Sequence, residues 1–111
     1  MKILISLFFV LLLSSATTAQ SSAAVDLANK MADKMRDTLQ LSVSQRAQIF
    51  QTNIKLNNKK TLVRNHFQTR DSIGIHIQRI ENTRDSLYKP ELTVSQFSLY
   101  MQKRKVLINN N

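Results

Sequence analysis

Few residues of this chain have the types and spacing that catalysis or metal binding needs. The two histidines, His66 and His76, lie ten positions apart, and the chain contains no cysteine. Helical metal ligands are usually spaced at i and i+4 and supported by further ligands. The 7 acidic residues are scattered like helix-surface charges, and the single glycine leaves no glycine-rich phosphate loop. The sequence therefore predicts no enzyme, no metal site and no cofactor.

Basic residues give the remaining chemical signal, because 16 lysines and arginines oppose the 7 acids for a formal charge of +9. Four of them are clustered along one helix-forming stretch: Lys55, Lys59, Lys60 and Arg64. Such a cluster suits acidic protein segments or an anionic lipid surface, and a basic face that only keeps the domain soluble is an equal alternative. Nucleic acid is not expected, since no recognition motif accompanies the cluster. If the following helix folds back, the cluster is extended by Arg70, Arg79 and Arg84.

The N-terminus has the order of a secretory signal peptide. A single lysine precedes an apolar run over residues 3–13, and small residues follow. Thr17 and Ala19 fill the small −3 and −1 positions of a cleavage site. A transmembrane anchor is the alternative, but this run is much shorter than the ~20 residues that a span needs. We therefore predict a signal peptide over residues 1–19 and an exported mature domain over residues 20–111.

Two short segments share the form Leu-[Ser/Thr]-x-x-Gln. A Ser or Thr at the N-cap accepts a hydrogen bond from the N3 backbone, and a Gln at N3 accepts one from the N-cap backbone. Each segment therefore predicts the start of a helix by a capping box. The residues in these roles are Leu41, Ser42 and Gln45 in the first copy, and Leu92, Thr93 and Gln96 in the second.

The scarcity of glycine and proline, with one of each, favours an all-α fold. Apolar spacing predicts about four helices: one ending near residue 39, one over about 43–67, one over about 72–88, and one after Thr93. We expect the middle two to form a helical hairpin flanked by the N- and C-terminal helices, with one continuous bent helix as the alternative. The third helix would be capped by Thr69, Asp71 or Ser72.

The second predicted helix carries two opposed apolar stripes and so needs two partners. The stripe expected inside the subunit consists of Val43, Ala47, Phe50 and Ile54. The opposite stripe consists of Ile49, Leu56, Val63 and Phe67. Burying each large side chain is worth roughly 1.5–3 kcal/mol, so we expect this second stripe to form a homodimer interface. Coverage by the first helix is the alternative.

Met31 and Met35 lie on the apolar stripe of the first predicted helix, together with Ala28 and Leu39. Methionine is flexible and polarisable, which suits an adaptable binding surface. Ordinary packing in the core is the favoured alternative for both residues.

The predicted signal peptide, the helical mature chain and the two Leu-[Ser/Thr]-x-x-Gln segments together resemble the Spy/CpxP-like periplasmic proteins, which are named for an LTxxQ motif. The second copy, preceded by residues 84–87 (Arg-Asp-Ser-Leu), is the stronger match. The resemblance implies a cradle-like subunit of four helices and an antiparallel homodimer. Both copies carry Val-Ser within the motif, where that family often has acidic residues or proline.

The resemblance further implies an ATP-independent chaperone (a holdase) or an envelope-stress protein. Its partners would be unfolded exported proteins, held on a basic and partly apolar surface. The alternatives are a metal-binding stress sensor and a basic protein that binds anionic lipid surfaces. The candidate client-binding residues are Met31, Met35, Lys55, Lys59, Lys60 and Arg64.

Overall fold

The computed structural model describes residues 22–108, which form four α-helices and one short 3-10 helix. No strand occurs within this range, so the predicted all-α fold is confirmed. The predicted signal peptide and its cleavage site lie outside the described residues. No helix between residues 22 and 108 is long and apolar enough to cross a membrane. The helices are α1 (Ser22–Leu39), α2 (Val43–His66), α3 (Arg70–Tyr88), the 3-10 helix (Lys89–Glu91) and α4 (Val94–Ile108).

A short extended turn separates α2 from α3, which are therefore two helices. The C-cap Phe67 and the N-cap Thr69 both have extended backbone angles. The hydroxyl of Thr69 accepts a hydrogen bond from the backbone N–H of Ser72 at 3.2 Å. Thr69 is thus the N-cap among the three candidates that the sequence offers. Pro90 lies at the start of the 3-10 helix, where its missing N–H is tolerated.

Helix α2 is central, because both α1 and α3 pack along it. Lys60 contacts Glu81, and Thr52, nearer the start of α2, contacts Glu91 beyond the end of α3. Residues that come earlier in α2 thus meet residues that come later in the α3 segment, so these two helices run antiparallel. Helix α4 packs mainly on α1.

The hydrophobic core lies where α1, the start of α2, the end of α3 and α4 meet. Tyr88 of α3 and Tyr100 of α4 pack edge to face, with ring centroids 5.2 Å apart, and both are fully buried. Aromatic pairs in this geometry stabilise a core beyond the apolar area that they bury. The other core side chains include Met31, Ala32, Met35, Leu39, Leu41, Ile49 and Leu107.

The far part of the α2–α3 pair contains no buried residue. From residue 57 to residue 83, which we call the hairpin tip, every residue is exposed or half-buried. The tip nevertheless carries several large apolar side chains, and Leu62 and Ile75 are 67% and 56% exposed. The others are Val63, Phe67, Ile73, Ile77 and Ile80.

Candidate functional site

Both predicted capping boxes are present. In the first, the Ser42 hydroxyl accepts from the Gln45 backbone at 3.1 Å, and the Gln45 side chain accepts from the Ser42 backbone at 2.9 Å. In the second, Thr93 and Gln96 make the same two bonds at 3.2 and 2.9 Å. Leu41, which precedes the first box, is buried. Each box satisfies two backbone groups that a helix end would otherwise leave unpaired.

The two boxes lie side by side, although 51 residues separate them in the chain. The Gln45 amide nitrogen donates to the Gln96 side-chain oxygen at 2.6 Å, and the Gln96 nitrogen donates back at 3.2 Å. Gln45 also donates to the backbone carbonyl of Glu91, and Gln96 donates to the backbone carbonyl of Gln40. Gln40 and Glu91 are equivalent positions in the two copies, since they too are 51 residues apart. This reciprocal contact joins the starts of α2 and α4. We call it the junction.

The residues that follow the N-caps do not pack as the apolar pattern suggests. Val43, which was expected on a packed face, is 89% exposed, and Val94 at the equivalent position of α4 is 90% exposed. Each is the first residue of its helix, and the junction turns the opposite side of that helix toward the core. Two positions further on, Gln45 and Gln96 take the inward places instead.

The first helical turn of α2 is tied to α1 by charge. Arg46 donates to the carboxylate of Asp33 at 2.7 Å and to the side chain of Asn29 at 3.1 Å. The hydrogen bond from Arg46 holds the pKa of Asp33 below its usual value. The equivalent residue of α4 is Phe97, which packs against the core. The same position thus serves a polar contact in one copy and an apolar contact in the other.

The predicted basic cluster is divided among three surroundings, so it is not one continuous surface. Lys55 and Lys59 are exposed and line an open groove along α2. Lys60 is half-buried and forms an ion pair with Glu81 of α3. Arg64 lines a separate, smaller groove between α1 and α2. A helix places neighbouring residues on different faces, and here α3 covers the Lys60 face.

Lys60 belongs to a charge network in which it and Glu81 are half-buried and Arg84 is buried. Its burial, together with repulsion from Arg84 and Arg64, lowers the pKa of Lys60 to about 8. Glu81 accepts a hydrogen bond from Lys60, and it accepts two more from nitrogens of Arg84 at 2.9 Å each. Lys60 therefore stabilises the packing of α2 against α3 and does not present its charge to a client.

Arg84, expected to extend the basic surface, is only 2% exposed. One of its nitrogens donates to Asn53 at 3.1 Å, to Tyr88 at 2.7 Å and to the sulfur of Met31 at 3.3 Å. Burial of this arginine was not predicted. The sequence contains one indication of this burial. Arg84 lies eleven positions, or about three helical turns, after the apolar Ile73 and is therefore on the same helical face.

The two candidate methionines are core residues. Met31 is 5% exposed and Met35 is 0% exposed, so the prediction that they bind clients is wrong for the folded subunit. Their stripe on α1 faces α2 and the end of α3, where Met31 accepts the hydrogen bond from Arg84. The favoured alternative of ordinary core packing describes them correctly.

The proposed dimer stripe is also partly internal. Ile49 and Leu56 are 0% exposed, so the expectation that they face outward is wrong. Helix α1 contributes to the core cluster around Ile49, as the alternative stated, and α3 contacts the same face of α2 through its ion pair with Lys60. Val63 and Phe67 lie in the hairpin tip and stay half-buried.

The histidines flank an aromatic ring at the turn between α2 and α3. His76 stacks on Phe67 with ring centroids 4.0 Å apart, and His66 meets the same ring edge-on at 4.9 Å. Within residues 22–108, no group of three or more His, Cys, Asp or Glu is placed to hold a metal ion.

An open groove runs along α2. It has a volume of about 760 Å³ and runs from Ser44 to Leu62, with Glu91 on one wall. One carboxylate oxygen of Glu91 accepts from the Thr52 hydroxyl at 2.7 Å, and the other is buried without a hydrogen-bond partner. Burial raises the pKa of this carboxyl group. The groove combines amide, hydroxyl, cationic and apolar side chains on one helix face.

No protein-family model matches this chain, and neither a curated protein nor a solved structure is significantly similar to it. The likeness to the Spy/CpxP-like proteins therefore rests on the motifs in the sequence. The groove and the free charges on it are the basis on which a function can be argued.

Proposed function

We propose that this protein is an exported, ATP-independent holdase of the Spy/CpxP-like kind, which keeps unfolded segments of other exported proteins from aggregating. The observation that carries this proposal is the groove along α2. It is open, it bears two exposed lysines, and it ends at an exposed leucine.

The mechanism would be passive binding. Lys55 and Lys59 attract negatively charged stretches of a client over a distance, and this attraction weakens as salt screens it. Leu62 then offers an apolar contact at the end of the groove. Ser44, Gln48, Gln51 and Asn58 line the same groove and can exchange hydrogen bonds with an extended backbone. None of these steps uses a nucleotide.

An aggregation-suppression assay on purified residues 20–111, without nucleotide, tests the proposal. We expect light scattering by a denatured client to fall as the protein is added, and the effect to weaken from low to high salt. The double reversal Lys55→Glu/Lys59→Glu should reduce suppression. Its control is Lys103→Glu/Lys105→Glu, which changes the charge equally at exposed sites on α4. Scattering that is unchanged by the wild-type protein would disprove the proposal.

Binding to anionic lipid is a second candidate function, and the hairpin tip is the observation that favours it. The tip combines the exposed Ile75 with the exposed cations Arg70 and Arg79. Apolar side chains beside cations suit the interface of an anionic membrane. Co-sedimentation with vesicles of phosphatidylglycerol, compared with phosphatidylcholine, tests this function. Equal amounts of protein sedimenting with both kinds of vesicle would disprove this function.

A further inference from the structure

We infer that the groove along α2 selects extended segments in which two acidic side chains, two residues apart, are followed by an apolar side chain at the same interval. This inference rests on the proposed function and names the class of segment that the groove takes. It is carried by three residues on one helix face: Lys55, Lys59 and Leu62.

The charges on this face are available to a partner. Lys55 and Lys59 are exposed, and neither side chain makes an ion pair or a hydrogen bond within residues 22–108. By contrast, Arg46 is paired with an aspartate of α1, and Lys60 and Arg84 share Glu81. The fold thus neutralises the cations that join its helices and leaves these two free.

The acidic residue on the groove wall does not pair with the two lysines, so it does not take the place of a carboxylate from a bound segment. Glu91 directs one oxygen to the Thr52 hydroxyl, and its other oxygen is buried. Lys55 lies near enough to lower the pKa of Glu91, against the larger effect of burial, but it forms no ion pair with it. Both lysines consequently remain the charges that a segment in the groove meets, and carboxylates are the groups that complement them.

The spacing of the three residues matches an extended chain. Lys55 and Lys59 are four residues apart on a helix, which is about 6 Å along its axis. Alternate side chains of an extended segment point the same way and are about 6.6 Å apart. Leu62 lies about 10.5 Å from Lys55 along the axis, within side-chain reach of the third alternate position at about 13 Å. The complementary pattern is acid-x-acid-x-apolar.

Other occupants fit less well. A second copy of this chain would bring another strongly basic surface, since the formal charge is +9, and the two would repel. A lipid surface is flat and cannot enter a groove along a helix. An uncharged segment would leave the two lysines without partners.

Fluorescence anisotropy with labelled peptides tests the inference on the purified exported protein. We compare the pattern Asp-Ser-Asp-Ser-Leu, within a common flanking sequence, with versions carrying Asn or Lys at both acidic positions. The Asp peptide should bind about tenfold more tightly than the Asn peptide at low salt, as expected for two exposed ion pairs. The Lys peptide should bind least.

Matched variants assign this preference to the groove. Lys55→Gln/Lys59→Gln should make the Asp and Asn peptides bind equally, whereas Lys103→Gln/Lys105→Gln on α4 should keep the preference. Leu62→Ser should abolish the advantage of Leu over Ser at the last position of the peptide. These positions are exposed, and unchanged urea midpoints would show that each variant folds.

Two results separate this inference from the proposed function. If wild-type protein suppresses aggregation but binds Asp and Asn peptides equally, the selection of acidic segments is wrong and the holdase function stands. If it neither suppresses aggregation nor binds any peptide, both are wrong. A preference for Asp that survives Lys55→Gln/Lys59→Gln would also overturn the inference.

Discussion

The junction and the hairpin tip lie at opposite ends of α2 and differ in how their side chains are used. At the junction, the glutamine side chains of the two capping boxes hydrogen-bond to each other, and the adjacent core buries two tyrosines completely. In the tip, no residue between 57 and 83 is buried, although the tip contains leucine, valine, phenylalanine and four isoleucines. Hydrophobic content is therefore not what distinguishes the two ends.

The difference comes from what lies opposite α2. Near the junction, α1 presents Met31, Met35 and Leu39, which fill the space against α2 and α3. Near the tip, the first turn of α1 presents Ala23 and Ala24, and a groove of about 190 Å³ remains beside α2. Small side chains cannot close that space, so the side chains are tightly packed at one end of α2 and remain exposed or half-buried at the other.

Replacing Arg84 should have the largest effect on this arrangement. Arg84→Met leaves Glu81 with one partner fewer and removes a donor from Asn53 and Tyr88 in the interior. Removing one partner of a buried charge pair typically lowers the free energy of unfolding by about 3–5 kcal/mol. Urea unfolding measures the change. Arg79→Met is the matched control in the exposed tip and should shift stability by less than about 0.5 kcal/mol. Equal losses would contradict the burial difference between the two arginines.

Removing either capping hydroxyl should have the next largest effect. Ser42→Ala and Thr93→Ala each leave one backbone N–H without its acceptor, which should lower the free energy of unfolding by about 1 kcal/mol. Urea midpoints of both variants check this. Ser98→Ala, an exposed position inside α4, is the control and should not be destabilising.

A double-mutant cycle sharpens the same comparison. Gln45→Ala and Gln96→Ala each remove one side of the reciprocal amide contact. Because the two residues touch, their effects should be non-additive by about 0.5 kcal/mol or more. Additive losses would mean that the boxes act as two independent caps.

The capping boxes could be predicted from the sequence because they are local: their hydrogen bonds join residues three positions apart. The contact between the two boxes could not be predicted, because the sequence of either segment does not determine which distant segment it contacts. Composition and spacing were likewise sufficient for four helices and, to within two residues, for the helix ends that were predicted.

The packing of α2 was harder to predict, because a helix with two apolar stripes does not say which stripe its own subunit covers. Burial of Ile49 and Leu56 depends on the placement of α1 and α3, which periodicity within α2 leaves open. Which lysines of α2 remain unpaired depends in the same way on the placement of a neighbouring helix. Lys59 and Lys60 are neighbours in sequence, and only the position of Glu81 on α3 decides that one is paired and the other free.

A smaller effect of opposite sign is expected at the end of α1. Gln40 has a positive φ of 56°, and the N–H of Leu41 closes the helix end on the carbonyl of Arg36 at 3.2 Å. A left-handed conformation costs a non-glycine residue roughly 1–2 kcal/mol, while glycine costs about 0.5–1 kcal/mol more chain entropy. Gln40→Gly should therefore stabilise the protein by about 0.5–1 kcal/mol in urea unfolding. Gln102→Gly, in the exposed interior of α4, should instead destabilise it by about 1 kcal/mol.

The smallest effect is expected from removing one methyl group in the tip. Ile75→Val should change the free energy of unfolding by less than about 0.5 kcal/mol, because Ile75 is 56% exposed. The same substitution at the fully buried Ile49 should cost about 0.5–1.5 kcal/mol, since it opens a small cavity. Both residues lie inside helices, so helix propensity changes equally and only burial differs. The pair thus compares the core beside the junction with the hairpin tip by one chemical change. A loss at Ile75 as large as that at Ile49 would mean that something covers the tip in solution. Sedimentation equilibrium would then show whether a second copy of the chain covers the tip, which would support a homodimer that forms through the tip.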